Sequence, residues 1–178
     1  MIIITGASAS GKTVTALDLQ KRYGLVKAIT TTTREMRVGE TNGVEYFFLS
    51  KEEFLKRLKE GKFVEHALYN GNYYGCGIDQ VADNKVVVLD PNGLHSFQKL
   101  GNKNVVSFLL VASEKTRETR MNGRGDKQSN IAERLKNDIN DFSLEKIGKV
   151  DYVIHTDNKT IEETADEIFK LYKERISL

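Results

Sequence analysis

The 178-residue chain has a single cysteine, a single proline and no tryptophan. Cys76 therefore closes no internal disulfide, so the fold rests on a packed core, and a reducing, cytoplasmic setting is expected. No apolar run approaches the roughly 20 residues needed to cross a bilayer. The longest, such as Phe108 to Ala112, are strand-sized, and no leader pattern opens the sequence. Charge of one sign is also lacking: 27 basic against 25 acidic residues leave a net +2. That balance argues against a protein that lives on a nucleic-acid polymer or a membrane surface, while permitting a local basic pocket. The three histidines, His66, His95 and His155, are dispersed and suggest no metal site. No serine or cysteine nucleophile comes with an evident base and orienter.

What is present comes at once. Directly behind the apolar run Ile2-Ile3-Ile4 stands Gly6-Ala7-Ser8-Ala9-Ser10-Gly11-Lys12-Thr13, the pattern G-x-x-x-x-G-K-T of a phosphate-binding P-loop. A chain leaving a buried strand must curl so that its amides face phosphate oxygens, and bulky side chains would block that approach. Lys12 can reach the β- and γ-phosphates of ATP and Thr13 can offer its hydroxyl to Mg²⁺, while the helix that starts here presents its positive end. A chance match is expected in well under about one in a hundred chains of this length, so the plain glycine-turn alternative carries little weight. Val14, Leu17 and Tyr23 then suggest a helix stopped by Gly24.

Strand patterns recur at Ile2 to Thr5, Val26 to Thr30, Lys85 to Leu89, Val105 to Ala112 and Tyr152 to His155, with helical patterns between most of them. This alternation predicts an α/β fold with a parallel sheet flanked by helices on both faces. In the last helix Thr160 and Glu163 form a capping box, and Ile161, Ala165, Ile168 and Tyr172 share a stripe. Two stretches interrupt the alternation. Residues 31–77 read as an inserted lobe of short antiparallel strands, Val44 to Leu49 and Phe63 to Tyr69, around a helix opened by Ser50 and Glu53 and closed by Gly61, with a turn at Asn70-Gly71. Residues 113–143 read as two helices joined around Gly123-Arg124-Gly125, the second striped by Ile131, Leu135, Ile139 and Phe142. The core is then 1–30, 78–112 and 144–178, one domain in all.

Thr30 to Glu40 carries Arg34 and Arg37 among hydroxyls without helical periodicity, and paired guanidiniums suit a phosphate monoester. Alone they would read as surface charges paired with Glu35 and Glu40; beside a P-loop the phosphate reading is preferred. Taken by themselves, Glu65 would be an ordinary strand residue, Tyr73 and Tyr74 core or surface aromatics, and Asp90 before Pro91 a turn former. Arg117, Arg120 and Arg124 would stack along one helical face, for which solvation and pairing with Glu114 and Glu118 is the usual outcome.

With these residues in view, the chain resembles the guanylate kinase family of P-loop nucleoside monophosphate kinases over nearly its full length. The family's S/T-x-T-T-R-x-P-R-x-G-E and N-G-x-x-Y are met at Thr30, Arg34, Arg37, Glu40, Asn42, Gly43 and Tyr46. Its E-x-x-x-x-x-G-x-Y-Y-G is met at Glu65, Gly71, Tyr73, Tyr74 and Gly75, and its R-L-x-G-R-G…R-L at Arg120, Gly123, Arg124, Gly125 and Arg134. The resemblance implies a P-loop NTPase fold, with 31–77 as the lobe that binds the nucleoside monophosphate and 113–143 as a helical lid. It implies Mg²⁺-dependent transfer of the γ-phosphoryl of ATP to GMP, and to dGMP. Arg34, Arg37, Tyr46 and Tyr74, with Thr30, would hold the GMP phosphate side, and Glu65, Asp90 and residue 76 the guanine. Gly6 through Thr13 with Arg120 would hold the ATP phosphates, and Lys12, Arg34, Arg124 and Arg134 would act on the phosphoryl in flight. Arg117 keeps its solvated reading.

Guanine chemistry fits Glu65, because N1–H and N2–H₂ are adjacent donors that one carboxylate can accept together, a pair adenine does not present. The chain departs from the family at Cys76 (usually Ser or Thr), Met36 (usually Pro), Val88 (the first of two common aspartates) and Thr156 (commonly Asn). A sister kinase using another nucleoside monophosphate or a ribose bisphosphate, and a non-catalytic binding module of the same fold, remain open at this point. Nothing in the sequence fixes an oligomeric state.

Overall fold

The computed structural model describes residues 1–177, the side chain of Leu144 excepted. A parallel sheet of five strands forms the frame: β1 (Ile2–Thr5), β2 (Val26–Lys27), β7 (Lys85–Val88), β8 (Val106–Val111) and β9 (Tyr152–His155), in the order β2-β7-β1-β8-β9. β1 is central because it is apolar on both faces, and Ile2, Ile3 and Ile4 have no exposed surface. Ile2 and Ile4 pack with Val106, Phe108, Leu110 and Ile154 against α1 (Lys12–Tyr23) and α7 (Ile161–Ile176), through Leu19, Ala165, Ile168 and Tyr172. Ile3 points the other way, to Val87, Cys76 and to Leu94 and Phe97 of α3 (Pro91–Gln98). A strand covered on both sides needs such an unbroken apolar run. β7 and β8 flank β1 in parallel on its two sides, so the chain crosses over β1 between them, a switch point of the kind at which open α/β sheets bind ligands.

A second sheet of four strands forms the excursion at 31–77, in the order β4-β3-β6-β5: β3 (Thr31–Thr32), β4 (Phe47–Phe48), β5 (Phe63–Tyr69) and β6 (Asn72–Gly77). The β5–β6 hairpin turns at Asn70 and Gly71, both at positive φ, the pair a tight hairpin favours. Helix α2 (Lys51–Lys59) is capped by the Ser50 side chain, which accepts from the Glu53 amide, and buries Phe54 against the rings of Phe63 and Tyr73. The expected strand from Val44 shrinks to two residues, and β4 runs parallel to β3, not antiparallel, because the chain reverses twice between them and Phe47 donates back to the Thr30 carbonyl. β2 likewise ends at Lys27 instead of Thr30.

The second excursion is α4 (Glu114–Gly123) followed by α5 (Gln128–Asp141), and the short α6 (Leu144–Ile147) leads back to β9. Three helix faces differ from the apolar stripes read in sequence. Val14 and Leu17 are exposed, and α1 buries Thr15, Ala16 and Leu19 instead. On α5, Ile139 is 65% exposed while Asp138 turns inward with Ile131. Ile161 opens onto a cavity while the rest of its stripe on α7 is buried. No described helix is long and apolar enough to cross a membrane.

Candidate active site

At the end of β1 the chain enters the glycine-rich loop through Gly6, at φ +144°, where a Cβ would collide with the Leu110 carbonyl oxygen and press on the Ser10 hydroxyl at 2.9 Å. Only glycine fits. The loop closes with Gly11 at φ +104°, the residue before α1, whose first amides have no helical acceptor. Four consecutive carbonyls of the loop are held by side chains, three of them from outside it. Lys12 Nζ donates to Ala7 O at 2.7 Å, Arg117 to Ser8 O at 3.4 Å, Arg120 to Ala9 O at 3.2 Å and the Thr156 hydroxyl to Ser10 O at 3.1 Å. With those oxygens held, the loop presents donors to a cavity of about 340 Å³ lined by Ala9 to Thr15, Arg120, Arg124, Thr156 and the start of α7 at Lys159 to Ile161. The Ser10 hydroxyl beside Gly6 is buried without a partner, as is that of Thr5.

Burial lowers the Lys12 ammonium to about 8; the Asp138 carboxylate resists the shift, while Arg117 and Arg124 add to it. The side chain is half-buried, with the Ala7 carbonyl as its hydrogen-bond acceptor. Thr13 is exposed at the cavity edge. Among the described residues no three Asp, Glu, His or Cys side chains gather into a metal cage. The Thr13 hydroxyl is the one oxygen the loop would offer to Mg²⁺, an ion that takes one or two protein oxygens and leaves the rest to phosphate and water.

The arginines of the α4–α5 hairpin divide. Arg124 and Arg134 are about half exposed and both bind Asp126, at 3.3 and 3.2 Å, so one carboxylate holds the two guanidiniums together. Arg124 lines the cavity. Arg120 is fixed by the Thr156 hydroxyl and carbonyl, at 3.1 and 2.7 Å. Arg117 corrects the sequence reading: it is buried, and it pairs with Asp138 at 2.5 Å, not with Glu114 or Glu118. Neither Asp138 nor Ile161 stood out in sequence, the first because an apolar stripe hid it and the second because it completed one.

On the second sheet, Arg34 spends its fork on Glu40, with bonds of 3.0 and 2.7 Å, and lies 5.5 Å above the Tyr46 ring. The hydrogen bonds from Arg34, aided by the Arg37 amide, hold the Glu40 carboxyl below its usual range. Arg37 is exposed, and Tyr46 packs edge-on to Tyr74 at 6.1 Å. Asn42 orders this loop by accepting from the Phe48 amide. Along β6 the alternation sends Tyr73 to Phe54 and Tyr74 to the opposite face. Thr30 is half-buried just before β3.

Glu65 pairs across the hairpin with Cys76 and accepts the Cys76 amide at 3.1 Å. Burial raises its carboxyl above the usual range, nearby Asp90 raises it further, and the Cys76 amide opposes both. Asp90 caps α3 by accepting from Gly93 at 2.8 Å. It follows β7, whose end is tied to β1 by Leu89 donating to Ile4 O, and it stands near enough to Glu65 for the two charges to be felt. Cys76 has no exposed surface; its thiol sits in the core with Met1, Ile3, Val87, Leu94 and Phe97, pushed up to about 12 by burial.

This arrangement, a glycine-rich loop beside an arginine-bearing helical hairpin with a separate four-stranded sheet inserted, has parallels among known proteins. Residues 1–174 match the family model of guanylate kinase. The chain belongs to the guanylate kinase family. It is 33% identical to the guanylate kinase of Anaplasma phagocytophilum over 97% of this chain and 85% of that one. It is 32% identical to that of Chlorobaculum tepidum over 94% and 91%. The crystal structure of the Anaplasma phagocytophilum enzyme superposes with a TM-score of 0.65 at 29% identity, covering 99% of this chain and 86% of the other.

Membership of the guanylate kinase family sharpens the departures. Met36 is 54% exposed, so the missing proline costs the loop stiffness without disturbing packing. Val88 ends β7 partly exposed and offers no oxygen to a metal. Thr156 is buried and spends its hydroxyl on the P-loop and Arg120.

Proposed function

We propose that this member of the guanylate kinase family transfers the γ-phosphoryl of ATP to the phosphate of GMP, and of dGMP, giving ADP and GDP. The observation that carries the acceptor assignment is the Glu65 carboxylate, partly buried, held by the Cys76 amide and close to Asp90 at the end of the P-loop sheet. A carboxylate so desolvated is matched by the paired N1–H and N2–H₂ donors of guanine and penalises adenine, which leaves it unpaired. Cys76 acts here through its amide. Arg34, Arg37, Tyr46, Tyr74 and Thr30 face the acceptor phosphate, Arg34 sharing or exchanging its Glu40 partner. Residues 31–77 thus form the acceptor lobe, 113–143 the lid, and the remainder the core.

On the donor side the loop amides from Gly6 to Thr13, apart from that of Ser8, which is given to Asp138, hold the triphosphate together with Lys12 and Arg120. An oxygen of the GMP phosphate attacks the γ-phosphorus in line as the bond to the β–γ bridging oxygen breaks, and that oxygen leaves on ADP. The attacking oxygen is already ionised at neutral pH, so no general base is required. Lys12, Arg34, Arg124 and Arg134 spread over the charge of the group in flight, and closure of lobe and lid excludes water. Thr13 would hold Mg²⁺, which when bound neutralises charge on the β- and γ-oxygens. A reducing, cytoplasmic setting suits the buried Cys76 thiol. The intact Lys12 and its cavity favour an enzyme over a binding module.

Purified protein given ATP, Mg²⁺ and a panel of GMP, dGMP, AMP, UMP and a ribose bisphosphate tests this. Turnover of the guanine acceptors at least about a hundredfold above the rest is expected. Preference for AMP, UMP or the sugar phosphate, or no transfer at all, rejects the proposal.

A further inference from the structure

The Arg117–Asp138 pair is unexplained by the chemistry above. It joins the two lid helices, with side chains 9% and 8% exposed, yet replacing a buried ion pair by apolar groups of similar size commonly costs a fold nothing. What it does hold is Ser8. Asp138 accepts the Ser8 amide at 3.0 Å and the Ser8 hydroxyl at 3.2 Å, and Arg117 reaches the Ser8 carbonyl. All the polar groups of one P-loop residue are thereby taken by one ion pair.

The next residue supplies the reason. Ala9 has φ +59°, and among the described residues the only other non-glycine at positive φ is Asn70 in the hairpin turn. Asparagine tolerates that region through its side-chain amide; alanine has no such help, and the strain persists only where neighbours over-determine it. Ser8 before Ala9 is fixed by Arg117 and Asp138, and the Ala9 carbonyl by Arg120. We propose that Arg117 and Asp138 are positioning residues for the nucleotide triphosphate: by clamping Ser8 from the lid helices they hold the strained Ala9 turn, and with it the phosphate-binding amides, in place before ligand arrives.

The proposal rests on the reading of this loop as the ATP site, so the test measures Mg·ADP binding by calorimetry, without any acceptor. In Arg117→Met/Asp138→Ala the melting temperature stays within a few degrees of the parent, while ADP affinity falls about tenfold, the factor set by the left-handed penalty of an L residue. KM for ATP rises in parallel and KM for GMP does not. Adding Ala9→Gly, which removes the need for the clamp, restores ADP affinity to within about twofold of Ala9→Gly alone. Unchanged ADP affinity in the double variant, an equal loss with Gly at position 9, or an equal rise in both KM values overturns the proposal. Should the double variant not fold, Asp138→Asn, which keeps shape and one acceptor, is expected to show a smaller loss that Ala9→Gly abolishes; a loss that persists overturns it as well. Failure of GMP transfer with normal ADP binding would count against the acceptor assignment alone.

Discussion

Raising the pH from 7 to 9 should loosen ATP binding through Lys12. Its ammonium is lowered to about 8, first by burial, with Arg117 and Arg124 adding to the shift and Asp138 resisting it. The sign follows from which form binds: the triphosphate requires the cation, so affinity is full below 8 and declines as pH rises through it. A group titrating near 8 is roughly nine-tenths charged at pH 7 and about one-tenth charged at pH 9, so the apparent Kd should rise about tenfold across that interval. Bound nucleotide raises the ammonium's own titration, so the complex does not compensate within the window. The terminal phosphate, titrating near pH 6, stays fully charged throughout. Calorimetric titration of Mg·ADP or a non-hydrolysable ATP analogue at half-unit steps gives the curve. Lys12→Arg keeps its charge throughout and should bind with a flat profile over the same range. A wild-type profile that stays flat to pH 9, or that turns down only above 10 as an exposed lysine would, refutes the placement of this ammonium in a desolvated cradle.

Gly6→Ala forces a Cβ onto the Leu110 carbonyl oxygen, a backbone atom fixed in the central sheet; we expect a loss of about 2–3 kcal/mol in urea unfolding and no measurable ADP binding. Glu65→Gln puts an amide donor against the donor edge of guanine, and kcat/KM for GMP should fall about a hundredfold, with KM for ATP unchanged. Because burial raises the Glu65 carboxyl, GMP use by the parent should also decline at a higher pH on the acid side than an ordinary carboxylate would dictate, a dependence the Gln variant lacks. Cys76→Ser sets a hydroxyl among Met1, Ile3, Val87, Leu94 and Phe97; stability should drop by about 1–2 kcal/mol with KM for GMP within about twofold. A several-fold fall in that KM would mean that the residue 76 side chain meets the base.

Local chemistry made much of this legible in advance. Gly6, Gly11 and Lys12 need no distant partner to define a phosphate loop, because spacing alone sets which backbone angles and which charge follow a buried strand. The capping box of α7 and the Asn70-Gly71 hairpin are likewise complete within a few residues. Apolar periodicity was the weaker guide. On α5 it selected Ile139, but the helix turned Asp138 inward because a guanidinium from α4 and an amide from the P-loop were waiting there. On α7 it buried Ile161, whereas that residue is 42% exposed on the wall of the cavity beside the glycine-rich loop.

The sequence by itself therefore determined the strand and glycine-rich loop at the start of the chain, the parallel α/β frame and the order of its two excursions, since each is encoded by residues close together along the chain. Tertiary structure alone decided that Arg117 is buried against Asp138, that this pair takes the polar groups of Ser8, and that Asp90 comes near Glu65. Those facts depend on which desolvated charges find partners, and segments far apart in sequence supply the partners.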